Sequence, residues 1–177
     1  MRDPIPGEGD GADADAGVAP SRQAGRGGRT TPAHPERRAR VFIDLTNQSI
    51  DLQPMRDFLF DPDTGAHAWF EGVTRRTTGN RETLELTYEA FEPMALSKLK
   101  EIAEIAATRF GLSAIAIVHR LGRVPIAQAS IVIGCCSAHR TGALAALPWL
   151  MDEIKSEVPI WKREHFADGQ THWVHPQ

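Results

Sequence analysis

Two lysines, Lys155 and Lys162, stand seven residues apart in the run Met151 to Phe166, MDEIKSEVPIWKREHF, on either side of an apolar Val-Pro-Ile-Trp step. A lysine at a helix end and a second inside an apolar, Trp-containing segment suit anion binding or proton transfer better than a solvated surface. If residues 159–165 are extended, Ile160, Lys162 and Glu164 share one face and Trp161 and Arg163 the other, which sets Glu164 beside Lys162. Lys155 falls at the end of the preceding helix, where the macrodipole favours a cation. An ordinary ion pair and an ordinary helix-end lysine would also explain these positions. Lysine chemistry requires burial or neighbouring cations that lower its pKa, so other basic groups must converge on the pair.

Two such groups are candidates. In Ser137-Ala138-His139-Arg140 a strand passes into a long helix, and a helix start offers unpaired N–H groups and a partial positive charge. His139 and Arg140 oppose that charge unless an anion offsets them, whereas the plainer reading makes Ser137 a cap with two solvated cations behind it. The loop after Gly72 carries Arg75, Arg76 and Arg81 with Gly79 at its turn, and arginine presents a planar fork suited to phosphate or carboxylate. His119, next to Arg120, reads as a structural histidine hydrogen-bonded at a sheet edge. Cys135 and Cys136 are adjacent, so they point to opposite faces of a strand and pack as small apolar residues, with no disulfide or zinc pattern.

The elements that must position these residues follow from periodicity. VFIDLT from Val41 has strand composition, a short helix starts near Asp51, and DPDTG at 61–65 is turn chemistry. Residues 66–73 and TLELTYEAF, with Leu84, Leu86, Tyr88 and Ala90 on one face, are expected to pair as an antiparallel hairpin. Pro93 opens a helix whose stripe is Leu96, Leu99, Ile102, Ala106 and Phe110, ended by Gly111. Residues 113–119 and 129–136 are buried strands. A second long helix spans about His139 to Ser156, with Leu144, Leu147, Leu150, Met151 and Ile154 inward and a kink or break at Pro148. A last strand lies near 171–174. The expected class is α+β, a mostly antiparallel sheet with two main helices.

Composition sets the bounds. With 177 residues, 41% hydrophobic and 24% charged, the chain suits one soluble domain, and the net charge of −3 argues against a general nucleic-acid binder. No apolar run approaches the roughly 20 residues of a membrane span and no signal-like segment opens the chain, so a cytoplasmic protein is expected. Residues 1–40 hold twelve of the 27 Gly and Pro residues, acidic in the first half and arginine-rich in the second, and read as a disordered tail ahead of a domain at 41–177. RNA binding by that tail is the minor alternative.

Five stretches together resemble the catalytic (large) subunit of molybdopterin synthase: FEGVTRR (70–76), LELTYEAFEPMA (84–95), IVHRLGRVPI (117–126), CSAHR (136–140) and IKSEVPIWKRE (154–164). They occur in the family's order. The resemblance implies a hammerhead-like elaboration of the α+β fold and a homodimer within a heterotetramer. It also implies a small ubiquitin-like sulfur-carrier partner whose C-terminal thiocarboxylate enters the pocket. The implied reaction transfers two sulfurs to cyclic pyranopterin monophosphate and forms the dithiolene of molybdopterin, with no metal or cofactor of the protein's own. By motif position Lys155 and Lys162 are the catalytic lysines, and Arg75, His139 and Arg140 bind the substrate anion; Glu164, placed beside Lys162 by strand parity, is expected to hold it. The alternative is a noncatalytic docking module for the same carrier. The chain departs from the family pattern at Ala127-Gln128, where Gly-Glu is common, and in its long N-terminal extension.

Overall fold

The computed structural model describes residues 38–174, so the tail expected over residues 1–40 lies outside the described residues up to position 37. The described elements run β1 (Arg40–Thr46), α1 (Leu52–Leu59), β2 (Ala66–Val73), β3 (Thr77–Thr78), β4 (Arg81–Ala90), α2 (Glu92–Phe110), β5 (Leu112–Arg120), β6 (Gly122–Pro125), β7 (Ala129–Ser137), α3 (Arg140–Glu157), β8 (Ile160–Phe166) and β9 (Thr171–Val174). This is an α+β fold with two sheets, mostly antiparallel.

Local chemistry sets the helix ends. Asp51 caps α1 by accepting the Gln53 N–H (2.9 Å), and Arg40 donates to the carbonyls of Phe58 (2.7 Å) and Phe60 (3.2 Å) at its other end. α2 has Glu92 and Pro93 in its first turn and stops at Gly111, whose φ of 62° glycine adopts without strain. Its buried stripe contains Leu99, Ile102 and Ala106 as expected, whereas Leu96 is exposed and Phe110 only partly buried.

α3 runs unbroken through Pro148, so of the kink or break expected there the break is absent. Pro148 and Leu144, the residue whose carbonyl loses its N–H partner, both lie on the exposed side of α3, where solvent can take the place of the missing bond. The buried stripe is Ala143, Ala146, Leu150 and Ile154; Leu144, expected inward, faces solvent, and Leu147 and Met151 are half-buried. Small residues on this stripe bring α3 close to α2. A Cβ at Gly142 would run into the carbonyl oxygen of Phe110.

The first sheet has the order β1-β5-β7-β2, with β1 parallel to β5 and the other pairs antiparallel. Its central strands are buried on both faces because α2 and α3 cover one side and α1 the other, and strand alternation sends Cys135 to the first layer and Cys136 to the second. The second sheet has the order β3-β4-β8-β9, with β6 also beside β4. The hairpin expected between residues 66–73 and 83–91 is not formed. β2 pairs with β7, and β4 folds back on β3 through a tight turn at Gly79 (φ 59°) and Asn80. A bulge between Thr83 and Glu85 leaves Leu84 53% exposed while Leu86 stays buried, so the expected Leu84–Leu86 face is broken at its first residue. No described helix is long and apolar enough to cross a membrane.

Candidate functional site

Where the two sheets meet, they and the last turns of α3 enclose a cavity of about 940 Å³. The first sheet contributes Phe70, His119 and Ser130, the second Leu86, Tyr88, Lys162 and Glu164, α3 contributes Asp152 and Lys155, and Arg75 enters from the segment after β2. Register explains the second wall. Tyr88 pairs with Lys162 and Leu86 with Glu164 across β4 and β8, so alternation turns Ile160, Lys162 and Glu164 inward as expected. On the opposite face Arg163 stacks over Trp173 (5.0 Å) and reaches Glu89 (3.9 Å).

Lys162 Nζ lies 2.9 Å from Glu164 Oε1. Glu164 is 5% exposed, so its carboxyl group has lost most of its hydration, and the contact with Lys162 offsets part of that cost. The same contact fixes where the lysine head stands. Lys155 is exposed, in the last turn of α3, one residue after buried Ile154. The Val158 N–H bonds back to Ile154 (3.1 Å), and Pro159 then turns the chain into β8, which is how two lysines seven residues apart come to line one cavity. Arg75 is exposed at the rim.

His139 and Arg140 occupy the other end of α3, both exposed, and neither lines the cavity. At a rise of 1.5 Å per residue Arg140 and Lys155 are about 22 Å apart along the helix. Ser137 serves that end: its Oγ donates to the His139 carbonyl (2.7 Å) and accepts the Ala143 N–H (3.1 Å). One chain therefore brings Arg75, Lys155, Lys162 and Glu164 together and leaves His139 and Arg140 apart.

The deeper wall was not anticipated as part of the site. His119 was expected at a sheet edge, but β5 is an interior strand and the ring is 6% exposed. Nδ1 lies 2.9 Å from the Arg120 carbonyl oxygen, and the Tyr88 ring meets the imidazole edge-on, 4.9 Å between centroids. Burial pushes the His119 pKa down to about 4, only partly opposed by the bond to Arg120. Burial also raises the Tyr88 phenol, with the Ser130 hydroxyl and the Lys162 charge working the other way. The signal available in the sequence was parity alone: Tyr88 lies two residues from Leu86, on the inward face of β4. The cavity thus has Arg75 and Lys155 exposed at its mouth beside Asp152, with His119, Ser130 and the Lys162–Glu164 pair deeper in. Among the described residues, no three His, Cys, Asp or Glu side chains gather as a metal site would.

Residues 45–157 match the family model described as MoaE protein. A molybdopterin synthase catalytic subunit of Pyricularia oryzae is 40% identical over 132 residues, covering 75% of this chain and 72% of its own length. The crystal structure of molybdopterin synthase from Staphylococcus aureus superposes with a TM-score of 0.70 at 33% identity, covering 73% of this chain and 94% of that one. A chain from the complex of subunits 1 and 2 of molybdopterin-converting factor from Helicobacter pylori shares the fold, with a TM-score of 0.62 at 20% identity over 75% of this chain and 89% of its own.

Proposed function

This chain belongs to the MoaE family, and from that premise we propose the reaction its cavity carries out: sulfur transfer to cyclic pyranopterin monophosphate from the C-terminal thiocarboxylate of a small ubiquitin-like carrier. The observation that carries this reading is the meeting of Arg75, Lys155 and Lys162 with Glu164 in one cavity between the sheets. A cyclic phosphate needs cationic donors, and the thiocarboxylate tail, itself an anion, needs its charge offset before its sulfur can attack. In one transfer the new carbon–sulfur bond replaces a carbon–oxygen bond to the cyclic phosphate, whose oxygen leaves on phosphorus. In the other it replaces the oxygen of the neighbouring carbonyl carbon, which leaves as water. Each thioester to the carrier is then hydrolysed, and the hydroxyl of that water ends on the carrier's carboxyl group. Two transfers and opening of the cyclic phosphate yield the dithiolene.

Lys155 is the residue for proton transfer and charge stabilisation, because it stands at the cavity mouth on a rigid helix end. Lys162, held by Glu164, orients the incoming tail or the pterin. His139 and Arg140, about 22 Å along α3 from Lys155, reach a cavity of this kind only from a second copy of the chain, which gives the homodimer a chemical purpose. The test is to incubate the protein with thiocarboxylated carrier and cyclic precursor and to look for the dithiolene pterin by mass spectrometry. Absence of product with intact carrier docking would leave only a docking module.

A further inference from the structure

The floor of the cavity differs in kind from its mouth, and the difference fixes which way round a ligand sits. Arg75 and Lys155 at the mouth are exposed, and Lys162 is half-buried; His119 and Ser130 are buried and Tyr88 is nearly so. A phosphate carried to the floor would leave the exposed cations behind and meet neutral groups and the buried Glu164 carboxylate, which repels it. A flat heterocycle rich in N–H donors suits that floor instead, with its phosphate left at the mouth.

The histidine is set up to read such donors. A carbonyl oxygen only accepts, so the 2.9 Å contact to Arg120 requires the proton on Nδ1. In a neutral ring Nε2 then carries a lone pair and no proton. The sealed side-chain nitrogens and oxygens without a partner among the described residues are Arg120 Nε and Arg163 Nε. His119 Nε2 is not one of them, and it lies at the far edge of a ring that lines the cavity. The edge-on Tyr88 ring holds the imidazole plane in place, and Ser130 is fixed by donating to the Gly72 carbonyl (3.0 Å). The acceptor is therefore preorganised before any ligand arrives.

We propose that His119 is a specificity-determining residue: its Nε2 accepts an N–H at ring position 5 or 8 of the reduced pterin, seating the heterocycle on the floor with its phosphate at the cationic mouth. This rests on the function proposed above and deepens it. A hydrogen bond to a site whose acceptor would otherwise be left dry discriminates by about tenfold or more.

The test measures binding by calorimetry to the full-length protein in complex with carrier that lacks the thiocarboxylate. The ligands are the reduced cyclic pyranopterin monophosphate and its fully oxidised form, which keeps the N3–H and 2-amino donors but lacks the N–H groups at ring positions 5 and 8. Wild type is expected to prefer the reduced form by about tenfold, His119→Phe to lose that preference, and His119→Gln, which offers a carbonyl acceptor, to recover most of it. In turnover, His119→Phe raises KM far more than it lowers kcat, a split that a merely structural defect would not give. Equal affinity of wild type for the two forms overturns the proposal even if His119→Phe fails to fold, and so does a His119→Gln no better than His119→Phe. Failure of wild type to bind either ligand removes both this proposal and the function above; binding by wild type and His119→Phe alike removes only this one.

Discussion

At its N-terminal end α3 holds His139 and Arg140 in solvent behind a serine cap, while at its C-terminal end Lys155 stands in the wall of the cavity. All three are basic, yet the helix treats them oppositely. The macrodipole stabilises Lys155 and opposes the other two, typically by about 0.3–1 kcal/mol each at a surface. A cation at the favourable end is already at rest and needs no ligand to explain it. Cations at the unfavourable end are at rest only when an anion joins them, so that end shows the stronger demand for a partner even though it lies outside its own chain's cavity.

The largest way to break this comparison is Lys155→Ala. Product formation from thiocarboxylated carrier should fall by about 100-fold or more with the melting temperature nearly unchanged, because the side chain is exposed. Undiminished turnover would make the two ends of α3 equivalent. Next, copies carrying Arg140→Ala and copies carrying Lys155→Ala should each be nearly inactive, while refolding them together restores up to about a quarter of wild-type activity, since half of the mixed dimers' sites are intact. No recovery in the mixture would place both residues in one chain's pocket or take Arg140 out of the reaction. Glu164→Gln, which keeps the shape but not the charge beside Lys162, should lower kcat by about tenfold, read from steady-state kinetics.

Histidine burial gives a prediction in pH. The folded pKa of His119, about 4, lies below the ordinary 6.5, so the unfolded chain binds more protons between those values. The stability associated with the neutral ring is complete above pH 6.5 and lost as pH falls toward 4, by up to about 1.4 kcal/mol per pH unit. Denaturant titrations across that window should show this slope, and His119→Gln should flatten it. The smallest effect belongs to the capped end: Ser137→Ala removes the acceptor for the Ala143 N–H and should cost about 1 kcal/mol in chemical denaturation without altering single-turnover chemistry.

Local patterns carried much of this molecule. The strands at 66–73, 112–120 and 129–137, both long helices and the inward parity of Lys162 and Glu164 follow from alternation and from 3.6-residue stripes, which neighbouring residues set among themselves. Apart from Leu96 and Leu144, which turn outward on their helices, and the helix that survives Pro148, what failed depended on distant partners. Nothing near β2 reveals that its mate is β7 rather than β4, and the bulge that turns Leu84 outward arises from pairing with β8, some eighty residues on. The site divides the same way. The lysines and Glu164 belong to one continuous segment and could be placed together, whereas His119 and Tyr88 become neighbours only when the two sheets close on each other. His119 was misplaced for a related reason: whether a strand is central or at an edge is decided by how many others join it.

The long ladders of both sheets join segments far apart in the chain: β1 with β5, from Arg40↔Ala114 onward, β2 with β7, and β4 with β8. Each such pairing must close a large loop before its contacts repay the lost freedom, so folding belongs to the slower, millisecond-to-second regime of sheet-rich topologies. During synthesis β4 emerges long before β8, and until β8 arrives the inward face of Leu86 and Tyr88 has no second wall. The cavity is thus closed only once β8 has been made. A chain cut short before residue 160 would hold nearly all of its apolar core and none of Lys162, Glu164 or the strand that carries them.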